Sequence, residues 1–109
     1  MSTALSVLGQ SAPLAATLTT LYTVPSSTSV STSSITVCNR SATATTFRVA
    51  IRAAGAGISD EHYLYYDAAI PGNDTFVTTI GVSMEALTVV SVYCTLATVS
   101  FSLFGQQIT

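Results

Sequence analysis

Residues 35–54, ITVCNRSATATTFRVAIRAA, constrain the fold more than any other stretch of the chain. In their second half Phe47, Val49 and Ile51 alternate with Arg48, Ala50 and Arg52. That period of two puts one side of a strand in a core and the other against something polar. The stretch reads as two strands joined by a polar turn, a hairpin that carries all three basic residues, Arg40, Arg48 and Arg52. No apolar period of 3.6 residues runs for a useful length anywhere, so helices cannot supply the core.

The rest of the chain repeats the strand pattern. Residues 18–24 (LTTLYTV) form the first clear strand and stop at Pro25, where a ladder N–H is lost. Residues 30–39 follow, with Val30 out of phase with Ile35 and Val37, which places a bulge within residues 31–34. After residues 45–53 and the loop Ala54-Gly55-Ala56-Gly57, with room for a short helix at most, comes HYLYYDA at 62–68. There Tyr63 and Tyr65 are expected on one face, Leu64 and Tyr66 on the other. Pro71-Gly72-Asn73-Asp74 is a turn signal leading to a strand at 75–80. Residues 81–86 are expected to connect the sheets, with space for one helical turn. Residues 87–95 and 98–104 end the series, joined by Leu96 and Ala97.

Seven or eight short strands at this spacing predict an all-β fold, a single antiparallel sandwich of jelly-roll or immunoglobulin-like type, with a closed barrel as the alternative. Residues 1–13 are expected to be an N-terminal arm or edge strand, and residues 14–109 the sandwich. A chain of 109 residues has material for one core.

Charge is scarce. Three Arg and five Asp or Glu are the only ionic side chains, and none precedes Arg40 or follows Glu85. Polarity comes instead from Ser and Thr, about 30% of the chain. A free monomer usually keeps charge spread over its surface, so the uncharged ends predict that part of the outside is covered by other copies or a larger assembly. With a net charge of −2 and no basic cluster, nucleic-acid binding is not expected. No membrane span or secretory leader is expected either: the apolar stretch 86–105 alternates like two strands, and no basic residue precedes the apolar start.

Chemical motifs are weak. His62 lies beside Asp60 and Glu61, but no strained elbow or oxyanion loop accompanies it, and no catalytic role is expected. The acids Asp60, Glu61, Asp67, Asp74 and Glu85 have no ligand spacing of a known metal loop, so no metal or cofactor is expected. Cys38 and Cys94 either pair across the sandwich or stay as buried thiols. The residues that stand out as partner-binding candidates are Arg48 and Arg52, which could meet carboxylates of a partner or pair with Asp60, Glu61 or Asp67 of the same chain, and the tyrosines Tyr63, Tyr65 and Tyr66, which could form an interface patch or a sugar platform.

As a set, the segments LGQSAP, TLYTVP, ITVCNRSATATTFRVAIR, DEHYLYYD, IPGNDTF and VSFSLFG resemble small β-sandwich structural proteins of tailed bacteriophages, the type that decorates or cements a capsid shell, with related modules in tails. The resemblance runs from Leu8 to Gly105. It implies a non-enzymatic virion protein in many copies, a trimer or dimer seated on the outside of the major capsid protein after assembly in the host cytoplasm. The alternative it leaves open is a tail or fibre module that binds host-surface glycans.

Overall fold

The computed structural model describes residues 3–109, and for Thr3 and Ala4 the backbone alone. Nine strands are formed: β1 (Thr3–Ser11), β2 (Thr19–Thr23), β3 (Ser29–Asn39), β4 (Thr45–Arg52), β5 (Tyr63–Ile70), β6 (Thr75–Thr79), β7 (Ser83–Met84), β8 (Val89–Cys94) and β9 (Val99–Ile108). Single 3-10 turns at Ala53–Gly55 and Asp60–His62 are the only helical pieces among the described residues.

Two antiparallel sheets pack face to face. Sheet A has the order β1-β9-β3-β6, with β7 on the free end of β3, and sheet B the order β2-β8-β4-β5. Setting β7 aside, strands pair from the outside of the sequence inward: β1 with β9, β2 with β8, β3 with β6, β4 with β5, and successive pairs alternate between sheets. This is the wiring of a jelly roll, and no closed barrel forms.

The core lies between the sheets. Ile35, Val37, Phe101 and Leu103 from sheet A meet Phe47, Val49, Val90, Val92 and Cys94 from sheet B, all essentially inaccessible. Phe47 joins the two layers, with its ring centroid 5.3 Å from Phe76, 6.0 Å from Tyr65 and 6.2 Å from Phe101. The bulge expected within residues 31–34 falls at Ser33, where the register of β3 against β9 slips between Thr32 and Ser34. It brings Val30 back to the buried side, which explains its phase.

Several connections differ from the sequence reading. Residues 35–54 do not form a hairpin: β3 belongs to sheet A and β4 to sheet B, and the polar turn crosses between layers. Likewise β8 and β9 lie in different sheets, linked by residues 95–98. Alternation identifies a buried face, and both sheets of a sandwich bury the same kind of face, so it does not say which strand is the neighbour. Residues 81–86 make no helical turn; Ser83 and Met84 pair with Ser31 and Val30 as β7. Cys38 and Cys94 are both free thiols, on opposite sides of their sheets: Cys38 is in register with Ser100 and Thr75 on the outer side of sheet A, whereas Cys94 is buried in the core.

At Gly105 the sheet tolerates no side chain. A Cβ there would stand 2.5 Å from the Ser31 carbonyl oxygen and 2.8 Å from the Thr32 Cα, backbone atoms of the bulge that cannot swing away. Gly105→Val is expected to cost at least the 1 to 3 kcal/mol, roughly, of an overpacked core. Urea denaturation of the variant reads this directly.

Candidate functional site

The two outer faces of the sandwich have different chemistry. On sheet A the outward residues stand in four rungs given by the strand registers: Leu5, Gln106, Ser31 and Ser83; Val7, Phe104, Ser34 and Thr79; Gln10, Ser102, Thr36 and Val77; Ser100, Cys38 and Thr75. None of the five strands of this sheet contains an Asp, Glu, Lys or Arg. Leu5 is 81% exposed, Val77 63% and Val7 51%. Hydroxyls and amides fill the spaces, as where the Gln10 amide donates to the Ser102 hydroxyl at 3.4 Å. The wiring produces this face: first and last strands are partners in a jelly roll, so uncharged ends that are far apart in sequence lie side by side. Arg40 borders it at one end, where its guanidinium donates to the Ser100 hydroxyl at 2.8 Å and the Ala97 carbonyl at 3.2 Å.

On sheet B the ionic and aromatic groups collect around Arg48. Its guanidinium donates to both carboxylate oxygens of Asp67, at 2.7 and 3.3 Å, the forked geometry in which Arg binds carboxylate best. It also lies 4.1 Å from the centroid of the Tyr66 ring and 4.6 Å from that of Tyr93. The hydrogen bond to Asp67 holds the Arg48 pKa well above its ordinary value, so alkaline titration does not release the pair. The aromatic clamp depends on a defect in β5. Register slips between Phe47 and Val49, and Asp67 takes φ 52°, so Tyr66 and Asp67 both face outward opposite Arg48. Arg48→Ala is expected to raise the reaction of Tyr66 with a small phenol-labelling reagent while leaving the thermal midpoint little changed, because the pair is solvent-accessible on both sides.

The same strand separates the candidate tyrosines. A second slip, between Val49 and Ala50, leaves Leu64 as an extra residue, so Tyr63 does not share a face with Tyr65 as simple alternation predicts. Tyr63 meets Tyr66, centroids 4.9 Å apart and planes at 84°, whereas Tyr65 turns inward against Phe47 and Phe76. Tyr65 is therefore half-buried, packed against the core. Together with Asp60, Tyr63 and Tyr66 line an open depression of about 400 Å³. Arg52 is apart from this group: it donates to the Ala56 carbonyl at 3.1 Å and to the buried Ser91 hydroxyl at 3.2 Å, and its Nε is buried without a partner. Of the five candidates the fold thus unites Arg48, Tyr63 and Tyr66. Tyr93 was not among them, although alternation in residues 87–95 already places it opposite Val92 and Cys94 on the outer face.

A larger cleft of about 650 Å³ opens at one end between the sheets, walled by Val30, Ile51, Met84 and Ile108 with His62 and Glu85. The His62 ring Nδ1 accepts the backbone N–H of Ser59 at 3.0 Å. That nitrogen has one lone pair, so it cannot also deprotonate the Ser59 hydroxyl 3.4 Å away. The contact caps a turn. The neighbouring Glu61 carboxyl is held below the usual carboxylate range by the Ser59 side chain and by its own backbone amide. Among the described residues, no three His, Cys, Asp or Glu side chains converge on a metal-sized space, and no helix is long and apolar enough to cross a membrane. Comparison of the chain with protein-family models, with curated proteins and with solved structures finds no match.

Proposed function

We propose that this protein is a non-enzymatic structural component of a tailed bacteriophage, a decoration or cement protein that seats the outer face of sheet A on the outside of the shell built by the major capsid protein. The observation that carries the reading is the four-rung face without a single charge and with Leu5, Val7 and Val77 exposed. Apolar groups on a surface that lacks ionic residues are the composition of the centre of a protein interface. A rigid two-layer sandwich suits this role, since it offers a surface that needs no ordering on contact. Binding the assembled shell and not the free subunits would stabilise the shell by mass action, with many weak contacts multiplied by symmetry.

The test is co-sedimentation of the purified protein with assembled shells, and separately with tails, of the virus that encodes it. Saturable binding to shells at a fixed copy ratio, lost in Thr36→Lys/Ser102→Lys, is expected. Binding to neither, or binding that the two lysines leave intact, overturns the reading.

A second reading rests on the opposite face. The depression walled by Tyr63 and Tyr66 with the Asp60 carboxylate at its side has the components of a weak sugar site, in which a ring stacks on an aromatic wall while the acid accepts hydroxyl protons. It favours a tail or fibre module that binds host-surface glycans. In that case a glycan array gives signals that Tyr66→Ala removes, and the protein fractionates with tails.

A further inference from the structure

The sandwich has four edge strands, and three of them are blunted. β5 is broken by two register slips and carries Asp67, the partner of Arg48 on β4. β2 has five residues, slips at Leu21, and is followed at once by Val24, whose N–H donates to the Thr88 carbonyl at 2.9 Å, and by Pro25. β6 also has five residues, follows Asp74, and shares the flank of β3 with β7. Short strands, bulges and charges are the devices that stop an edge from pairing with another chain.

β1 has few of them. It is nine residues long, TALSVLGQS, without charge or proline. Among the described residues it pairs with β9 and no other strand. Its only irregularity is the slip at Leu8, which leaves Thr3–Val7 as a regular run whose outward side chains, Leu5 and Val7, lie open to solvent. Among the described residues, the other flank of that run presents backbone N–H and C=O groups with no ladder partner.

We propose that β1 pairs antiparallel with β1 of a second copy, giving a two-fold symmetric dimer. An antiparallel strand is complementary to itself about a two-fold axis, so one sequence supplies both halves of the contact. Centred on the regular run, the pairing sets Leu5 beside the partner's Leu5. The axis stands perpendicular to the sheet and therefore keeps both outer faces on the same side. Sheet A continues across the junction as ten strands, with β6 and β7 sharing each outer flank, and one uncharged face, twice the area available to seat on an assembly. The dimer needs only the β1 edge and does not depend on a shell being the partner.

Sedimentation equilibrium of the full chain tests this. The expected mass is twice the 11.3 kDa of one chain, falling to one chain in Leu5→Lys/Val7→Lys. In wild-type dimer mixed from labelled and unlabelled chains, isotope-filtered NOEs between Leu5 methyl groups of the two copies are expected, a readout that does not depend on the variant folding. A monomer at every concentration, a trimer, a dimer without those NOEs, or a dimer that survives in the folded double variant overturns the proposal. If shells are bound by a protein that is monomeric, the dimer fails and the decoration reading stands; if the protein dimerises through β1 and binds no shell, the reverse holds.

Discussion

Phe47→Ala is expected to lower the stability of the fold by about 3 to 5 kcal/mol, the range for truncating a fully buried aromatic ring. Phe47 is 1% exposed and is the residue at which Tyr65 of sheet B and Phe76 and Phe101 of sheet A meet. A methyl group there leaves three rings without their common neighbour, in a close-packed interior that relaxes only partly into the space. Phe47→Leu should recover part of the loss, since it restores volume without the ring edges. Equilibrium denaturation in urea gives both values, with an unchanged slope if the denatured state is unaffected. A loss below about 1 kcal/mol would mean that the two sheets are not held together at this point.

The second large effect is expected at Asn39, which is buried at the end of β3. Its side-chain amide donates to the carbonyls of Thr43 at 2.8 Å and Pro71 at 3.2 Å, and its oxygen accepts the N–H of Ser41 at 3.1 Å. One side chain thereby fixes the crossover from sheet A to sheet B against the turn between β5 and β6. Asn39→Asp keeps the shape but aims an acceptor at two acceptors and adds a buried charge, for an expected cost of about 3 kcal/mol at neutral pH. The sign of the pH dependence is determined by the same geometry. Burial and two facing carbonyls raise the pKa of the new carboxyl in the folded state, because its protonated form can donate again. The defect is thus smallest below the unfolded-state value, about 3.9. It grows as pH rises through the window between the unfolded and folded values. Denaturation of variant and wild type at pH 3.5 and pH 7 checks this; a penalty that is equal at both would show that the amide is not the tie described.

Which parts of this architecture are legible in the sequence follows from what alternation encodes. The strands at 45–52 and 75–79 and the turn Pro71-Gly72-Asn73-Asp74 are written in short-range patterns, and so is the bulge at Ser33, since Val30 falls out of phase with Ile35. The partner of each strand is not. Turns of four or five residues close a hairpin or cross between layers equally well, so the link from β3 to β4 and the link from β8 to β9 look like hairpins and are crossings. The candidate site suffers from a second blind spot. Strict alternation puts Tyr63 with Tyr65 and opposite Tyr66, but the extra residue Leu64 turns Tyr63 outward beside Tyr66, the left-handed Asp67 joins them, and Tyr65 alone packs against the core. Neither Leu64 nor Asp67 is a residue type that announces a bulge as glycine does. The absence of charge before Arg40 and after Glu85 is visible at once, whereas its consequence, one continuous uncharged sheet, requires the jelly-roll wiring.

That wiring gives the functional account its most exposed claim, that the protein contacts its assembly through sheet A and leaves the Arg48 cluster facing away. Hydroxyl-radical footprinting of the protein free and bound to the capsid shells proposed as its partner measures side-chain exposure on both faces in one experiment. The account predicts that labelling of Val77, Phe104 and Cys38 falls on binding while Tyr66 and Tyr93 label as before. Protection of Tyr66 and Tyr93 with Val77 unchanged would contradict it and make the aromatic face the binding surface.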